Sequence, residues 1–316
     1  MFIVSKCRIV ILVFVLLLST ARVCGQYDPY FPHYFDMQTM YNPAAAGKES
    51  RMNIYGTLAM TMSGFENAPM TFAVAGDYPF SFWKSLHGVG AMIMSDKAGL
   101  FSHQKIAVQY ALRKKLAGGW LSGGIQPGLL TEKFRGSEVD LADEGDPVFP
   151  KTDVDGNGFD LGAGLLYQRK NWYAGISAQH ITAPTILLGD KNELKIDPVL
   201  YATGGVTFQL VNPLLKIATS ALVQSDLTAY RADITGRLIY TYDGKMFYGG
   251  LNYSPTNSVS VLLGGRFKGF MVGYSFEMYT NGISFRNSSH GAFVGYQMDV
   301  DLGKKGKNFH QTTRTL

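Results

Sequence analysis

The run RADITGRLIYTY, residues 231–242, decides how the rest of the chain is read. Ala232, Ile234, Gly236, Leu238, Tyr240 and Tyr242 fall on one side, and Arg231, Asp233, Thr235, Arg237 and Thr241 on the other. A period of two is the signature of a strand with unlike faces. Residues 105–113 repeat it, with Ile106, Val108, Tyr110 and Leu112 opposed to Gln109 and Arg113. So does the end of the chain, where Ala292, Val294, Tyr296, Met298, Val300 and Leu302 oppose Gln297, Asp299 and Asp301. A soluble sandwich alternates as well, so the character of the polar face has to arbitrate. The water-facing side of a sandwich is rich in Lys and Glu. Here it carries small and uncharged residues with a few charges of both signs: Ser177 and Gln179, Thr203 and Thr207, Ser220 and Gln224, Ser260 and Arg266, Ser275 and Glu277. That suits the inside of a barrel whose apolar side faces lipid. A charged fraction of only 17%, with 36 glycines and 18 tyrosines, fits an outer surface set between aromatic girdles.

Strands are expected at 51–62, 70–78, 88–96, 103–113, 119–133, 159–169, 172–181, 200–210, 214–224, 229–242, 246–253, 258–267, 270–279 and 291–302. About fourteen strands is an even number, as single-chain bacterial barrels have. The connections after the fourth, sixth, eighth, tenth and twelfth strands are tight, whereas 134–158, 182–199 and 281–290 are long. Short turns on a periplasmic rim and long loops outside is the outer-membrane arrangement. The fold expected is therefore all-β, a transmembrane outer-membrane antiparallel barrel over 51–303. Two features fit less well. The connection 79–87 should be short yet holds Phe80, Phe82 and Trp83, which reads as an interfacial turn, and Pro127 inside the fifth strand predicts a bulge or a shorter strand.

Residues 1–25 read as a secretory leader: Lys6 and Arg8 precede the apolar run from Ile9 to Leu18, which is too short to span a bilayer, and cleavage is expected after Gly25. Both cysteines, Cys7 and Cys24, lie in that leader, so the exported chain has no thiol for a disulfide, a thiolate ligand or a nucleophile. Removing Lys6, Arg8 and Arg22 from a formal charge of +5 leaves +2, which is no basis for nucleic-acid binding. Residues 304–316 form a basic periplasmic tail with Lys304, Lys305, Lys307 and Arg314.

Between leader and first strand lies QYDPYFPHYFDMQTMYNPAAAG, residues 26–47. Tyr27, Tyr30, Phe31, Tyr34, Phe35 and Tyr41 are interrupted by Pro29, Pro32 and Pro43, so neither a long helix nor a ladder strand suits it. So many rings need a surface, which predicts a periplasmic lead-in over 26–50 held against the body that follows. Gln26, Asp28, Pro29, Phe31, Tyr34 and Met37, with Asn42-Pro43-Ala44-Ala45-Ala46-Gly47, resemble the opening of PorP/SprF proteins, which runs Q-D-P-x-F-x-x-Y and then N-P-A-x-A-G. Tyr27 is an insertion relative to that pattern. Pro69-x-Thr71, Gly88-x-Gly90 and Ser289-His290-Gly291 are similar too, although the last continues His-Glu in the family.

The resemblance implies an outer-membrane component of the type IX secretion system, associated with gliding motility. It would act as a platform for secretion or surface anchoring of a large adhesin, through the cargo's C-terminal domain, and for contact with periplasmic machinery. Tyr27, Asp28, Pro29, Phe31, Tyr34, Asn42, Pro43 and Gly47 are the candidate partner-binding residues. An outer-membrane transport barrel for small solutes is the alternative, turning on whether Arg113, Arg231, Asp233, Arg237, Arg266, Glu277, Asp299 and Asp301 pair across the interior or line water. A soluble periplasmic β-sandwich is a third.

Chemistry is thinly represented. Asp153-Val154-Asp155-Gly156-Asn157-Gly158 has the early positions of a calcium loop, but position twelve is Gly164, and Asp/Asn/Gly runs also make ordinary surface turns. Glu138, Asp140, Asp143, Glu144 and Asp146 extend it into an acidic outer loop. His180 and His290, with Ser288 and Ser289 near the latter, raise a Ser–His hydrolase, yet no nucleophile elbow is present. No glycine motif follows a strand and opens a helix. The expectation is a non-enzyme without cofactor or metal, its partners being outer-membrane lipid, the secretion apparatus and its cargo.

Overall fold

The structure, a computed structural model, describes residues 27–83, 85–138, 152–189, 192–255, 257–280, 282 and 285–302. The leader and the basic tail lie outside the described residues, as do Asp140, Asp143, Glu144 and Asp146.

Sixteen strands are described: β1 Arg51–Met60, β2 Met70–Phe82, β3 Ser85–Ala98, β4 Phe101–Leu116, β5 Gly119–Phe134, β6 Val154–Gln168, β7 Trp172–Gln179, β8 Thr185–Leu188, β9 Asn192–Lys195, β10 Val199–Gln209, β11 Leu215–Ser225, β12 Tyr230–Tyr242, β13 Lys245–Ser254, β14 Ser258–Phe267, β15 Phe270–Tyr279 and β16 Ser289–Asp299. Fourteen of them form one closed antiparallel barrel, and β8 and β9 form a separate hairpin. Closure is by β1 and β16, which pair from Arg51 opposite Asp299 to Met60 opposite His290. No free edge remains between the first and last strands, which is what lets a sheet sit in hydrocarbon.

The alternation read from residues 231–242 is borne out. Asp233 and Thr235 are buried in the interior, whereas Ile234, Leu238, Tyr240 and Tyr242 stand on the outside. The same outer face carries Ile106, Val108, Leu251, Leu263, Val272 and Val294, each more than half exposed. A belt of that size needs a lipid solvent. Phe82, Trp83, Trp172, Phe208, Tyr242, Phe247, Phe267 and Phe270 cluster at the rim with the tight turns and form an aromatic girdle. No helix among the described residues is long and apolar enough to cross a membrane, and the crossing is made by strands.

Three tight turns have a common cause. Ala117-Gly118, Asp243-Gly244 and Lys268-Gly269 each place two successive residues at positive φ. That conformation matches the twist of a two-residue hairpin, and Leu116–Gly119, Tyr242–Lys245 and Phe267–Phe270 pair across them. The connection expected at 79–87 is shorter than the sequence reading has it: Phe82 pairs with Ser85, and the exposed Trp83 stacks on Phe82 at 5.3 Å.

Pro127 makes no bulge, which corrects the expectation. Ala107 opposes Gly128 and Tyr110 opposes Ile125, so the register is the same on either side of it. The missing N–H instead interrupts the β4–β5 ladder at Val108 and Gln109, while the β6 side stays paired, Pro127 opposite Leu161. Residues 154–158 are likewise strand and not loop. Asp155 and Asn157 face outward and Gly156 and Gly158 inward, so the run does not curl as a calcium loop must.

Candidate functional site

The aromatic stretch before β1 runs through the lumen. It includes a four-residue helix, α1 (Gln38–Tyr41), and a 3-10 turn at Pro43–Ala45. Tyr27 and Asp28 sit at the long-loop end, touching His103 near the start of β4, Glu132 near the end of β5 and Tyr201 near the start of β10. Gly47 sits at the short-turn end, where its N–H donates to Asp77 at 2.9 Å and its carbonyl accepts from Arg113 at 2.9 Å. The chain thus crosses the lumen from the outer mouth to the inner rim and there turns into β1.

Apolar packing holds it. Phe31, Tyr34, Phe35, Met37, Met40 and Tyr41 form one cluster with wall residues Tyr55, Met92, Tyr201, Leu222, Tyr248, Leu262 and Phe293. At roughly 1.5–3 kcal/mol for each large side chain, six of them give on the order of 10 kcal/mol before entropy is subtracted. The polar groups of the segment are met in turn. Tyr34 Oη lies 3.1 Å from Ser220, and Tyr248 Oη donates to Asp36 at 3.1 Å. Ser177 donates to the Tyr41 carbonyl at 2.6 Å, and Gln109 to that of Thr39 at 2.7 Å. Asn42 donates to the carbonyl of Leu165 at 3.0 Å and caps the 3-10 turn by accepting from the Ala44 N–H at 2.9 Å. A buried segment without such partners would carry a desolvation cost at every one of these groups.

Some inward wall residues have no side chain, and there the segment comes closest. A Cβ on Gly88 would lie 2.1 Å from the Ala46 carbonyl oxygen, and one on Gly124 would lie 2.4 Å from the Ala44 nitrogen. These positions admit backbone against backbone.

Charges fill the rest. Asp28 accepts from His180 at 3.0 Å and from Tyr201; the other nitrogen of His180 meets Asp160 at 3.1 Å, and Lys105 reaches Asp160 at 3.2 Å. All five side chains are buried. On the other side of the lumen Arg231 bridges Asp233 at 2.9 Å and Glu277 at 3.0 Å, and stacks on Tyr30 at 3.6 Å. Arg237 stacks on Phe35 at 3.4 Å. Arg113, Arg231, Asp233, Arg237 and Glu277 therefore pair with each other or with the segment, whereas Arg266 donates to the neutral Gln297 at 2.8 Å. Asp299, by contrast, pairs with Arg51 at the inner rim. A polar cleft of about 60 Å³ remains at the inner rim, lined by Asp36, Gln38, Lys48, Glu49, Asn53 and Asp77 among others. That is room for a few waters.

The outer mouth is covered on its β5–β6 side. The β8–β9 hairpin folds inward onto upper β5 and β6, with Ile186, Leu188 and Ile196 buried against Leu130 and with Tyr27 and Val154 packed on them. The carbonyl of Leu187 and the side chain of Ile186 lie over Gly156. At the flank Asp153 accepts from the N–H and hydroxyl of Ser137, which holds its carboxyl below the usual range.

The sequence assigns Tyr27, Asp28, Pro29, Phe31, Tyr34, Asn42, Pro43 and Gly47 to contact with a partner. The structure brings all eight into the lumen, where what they touch is the inner wall of their own barrel. The lead-in expected on the periplasmic side is inside because only the lumen offers enough surface for its rings. The residues that sequence reasoning missed are the receivers: Tyr55, Tyr201, Tyr248 and Phe293, large rings on the polar face, and the charged set Lys105, Glu132 and Asp160. The signal was present as bulky residues on the side that a water-filled lumen would keep small. His180 bonds Asp28 through Nε2 and lies with Nδ1 3.1 Å from Asp160, and His290 meets Tyr274 at 2.7 Å.

Among solved structures, the chain is similar to the CymD monoaromatic hydrocarbon channel at 11% identity, over 84% of this chain and 93% of that one, with a TM-score of 0.49. It is similar to a Pseudomonas aeruginosa FadL homologue at 10%, over 88% and 96%, with 0.49, and to the P. putida toluene transporter TodX at 11%, over 83% and 93%, with 0.48. These likenesses are weak, and the closed sheet rests on the chain's own strand pairing. No curated protein matches the sequence. A family profile described as type IX secretion system membrane protein PorP/SprF matches residues 23–296, nearly the whole barrel together with the segment inside it. The chain is an outer-membrane barrel that belongs to the PorP/SprF family of type IX secretion system membrane proteins.

Proposed function

We propose that this barrel works as an assembly platform rather than a conduit, with secretion or surface anchoring of adhesin-type cargo served at its outer rim and periplasmic machinery met at its inner rim. The observation that carries the reading is the occupied lumen. A segment of about twenty residues is packed from mouth to mouth against wall residues of its own chain, and the β8–β9 hairpin lies over the β5–β6 side of the outer opening. With the interior spent on its own sequence, the working surfaces are the two rims. The inner rim offers the cleft beside Lys48 and Glu49, and the outer rim the β8–β9 hairpin and the extended β5–β6 pair. The reading assigns no chemistry to the chain.

Two measurements test it. Purified protein in a planar bilayer is expected to be electrically silent, and steady single-channel steps from the intact chain would favour solute transport instead. Deleting the gene is expected to remove at least one type IX cargo from the cell surface while the general secretion pathway continues. Unchanged delivery of every cargo would rule the platform out.

A further inference from the structure

From β4 round to β15, the turns of the inner rim carry mostly one sign of charge. The β4–β5 turn has Lys114 and Lys115, the β6–β7 turn Arg169 and Lys170, and β11 begins with Lys216 in its first two residues, while Lys245 opens β13 and Lys268 joins β14 to β15. Against these seven cations, residues 114–119, 169–171, 210–216, 243–245 and 268–269 hold one acid, Asp243, which leaves a net of +6. The strands involved are successive neighbours in the closed sheet, so the charges form one arc. The seam is different, for there Arg51 meets Glu49 at 3.7 Å and Asp299 at 2.7 Å. Among the described residues none of the seven arc cations has an ion-pair partner. Two of them converge on the lipid face. The ammonium groups of Lys245 and Lys268 lie 5.4 and 5.3 Å from the centre of the same ring, that of Phe267. Phe267 shares its side of β14 with the lipid-facing Leu263, and Lys245 shares its side of β13 with the exposed Phe247 and Leu251. Tyr242 stands opposite Lys245 and Phe270 opposite Phe267, both of them exposed. The pair of lysines therefore sits within the aromatic girdle, where a lysine stem lies along apolar surface and its head reaches the headgroup layer.

We propose that Lys245, Phe267 and Lys268 form a binding site for the phosphate of an anionic glycerophospholipid in the inner leaflet. Two like charges gathered on one ring repel each other, and an anion between them removes the repulsion. A phosphodiester has two non-bridging oxygens, one for each ammonium group. Its acyl chains would lie along Phe247 and Leu263, which already face hydrocarbon. The rest of the arc supplies the wider positive field that enriches anionic lipid at this rim. An acidic protein would answer the same charge, but position decides between them. Both ammonium groups lie against a ring on the outward face, at the level of the headgroups, where lipid is the neighbour. Aromatic rings alone would hold a zwitterionic lipid as well, and the unbalanced cations are what select a negative one. The inference goes beyond the platform reading and does not rest on it, since a transport barrel with this rim would hold the same lipid.

The probe is phosphatidylglycerol with a fluorescent acyl chain, titrated onto the full chain in neutral detergent micelles beside phosphatidylcholine with the same chain. Phosphatidylglycerol is expected to bind about tenfold more tightly at low ionic strength, the scale that two lysines at a bilayer surface imply. Lys245→Gln combined with Lys268→Gln is expected to cut that preference to about twofold or less. Both side chains are exposed, so the barrel is expected to keep its strand content by circular dichroism. Lys97→Gln, at the outer end of β3, is expected to leave the preference unchanged. As a check free of any variant, the preference is expected to fade at about 1 M salt, where charges are screened within about 3 Å. Equal affinity for the two lipids, a preference untouched by the double substitution, or one that survives high salt would overturn the proposal. Displacement of the lipid by inorganic phosphate would overturn it in favour of a free anion, and displacement by soluble polyglutamate in favour of an acidic protein.

Discussion

At the scale of single residues, the segment is seated by a few contacts that neighbouring side chains cannot replace. Asp28 is the acceptor for His180 and Tyr201 together. Asp28→Ala would leave both without it in a buried site and is expected to cost about 3 kcal/mol, the usual scale for breaking a buried charged pair. The urea midpoint of the protein folded in lipid vesicles reads this directly. Gly124 is held small by the approach of Ala44. Gly124→Leu is expected to displace the segment and produce flickering conductance in a planar bilayer. Gly236→Leu, where an added Cβ meets nothing, is the matched control and is expected to stay silent. None of these roles was legible from the residues themselves. Asp28 reads as one acid in an aromatic run, and Gly124 as one of many barrel glycines, until the same lumen holds both.

At the scale of elements, legibility follows periodicity. Alternation in residues 231–242 and 105–113 gives β12 and β4 because each face meets a different medium along its whole length. The same rule fails at 154–158, where Gly and Asn carry no face preference and turn chemistry reads more strongly than strand. It fails again for β8 and β9, four residues each, too short for a period to show. The hairpin nevertheless matters to the mouth. Ile186 is fully buried beneath it, and Ile186→Ala is expected to destabilise by roughly 2–4 kcal/mol through the cavity it leaves. The accompanying sign would be faster proteolysis between β7 and β10 with conductance still absent, since the segment below remains in place.

At the scale of the whole molecule, the bilayer is the solvent that makes the composition sensible. Leu263 faces lipid while its neighbour Leu262 is buried inside. Leu263 lies in the middle of β14, and Leu263→Arg is expected to cost about 2–4 kcal/mol, a loss read from equilibrium folding into vesicles. Barrel and strand count were open to sequence reasoning, because lipid outside and small polar groups inside write a pattern on every crossing. What fills the barrel was not, because an ordered coil has no pattern of its own.

The threading of the segment has a practical corollary for how the polypeptide can be made and handled. Residues 27–47 must already be within the ring when β1 and β16 zip together, so the seam closes around its own leading strand like a bead around a cord. A globular reporter joined ahead of Tyr27 would have to reach the outer side before that seam closes, because the finished bore has no space for it, whereas the same reporter joined after residue 302 would encounter no such obstacle.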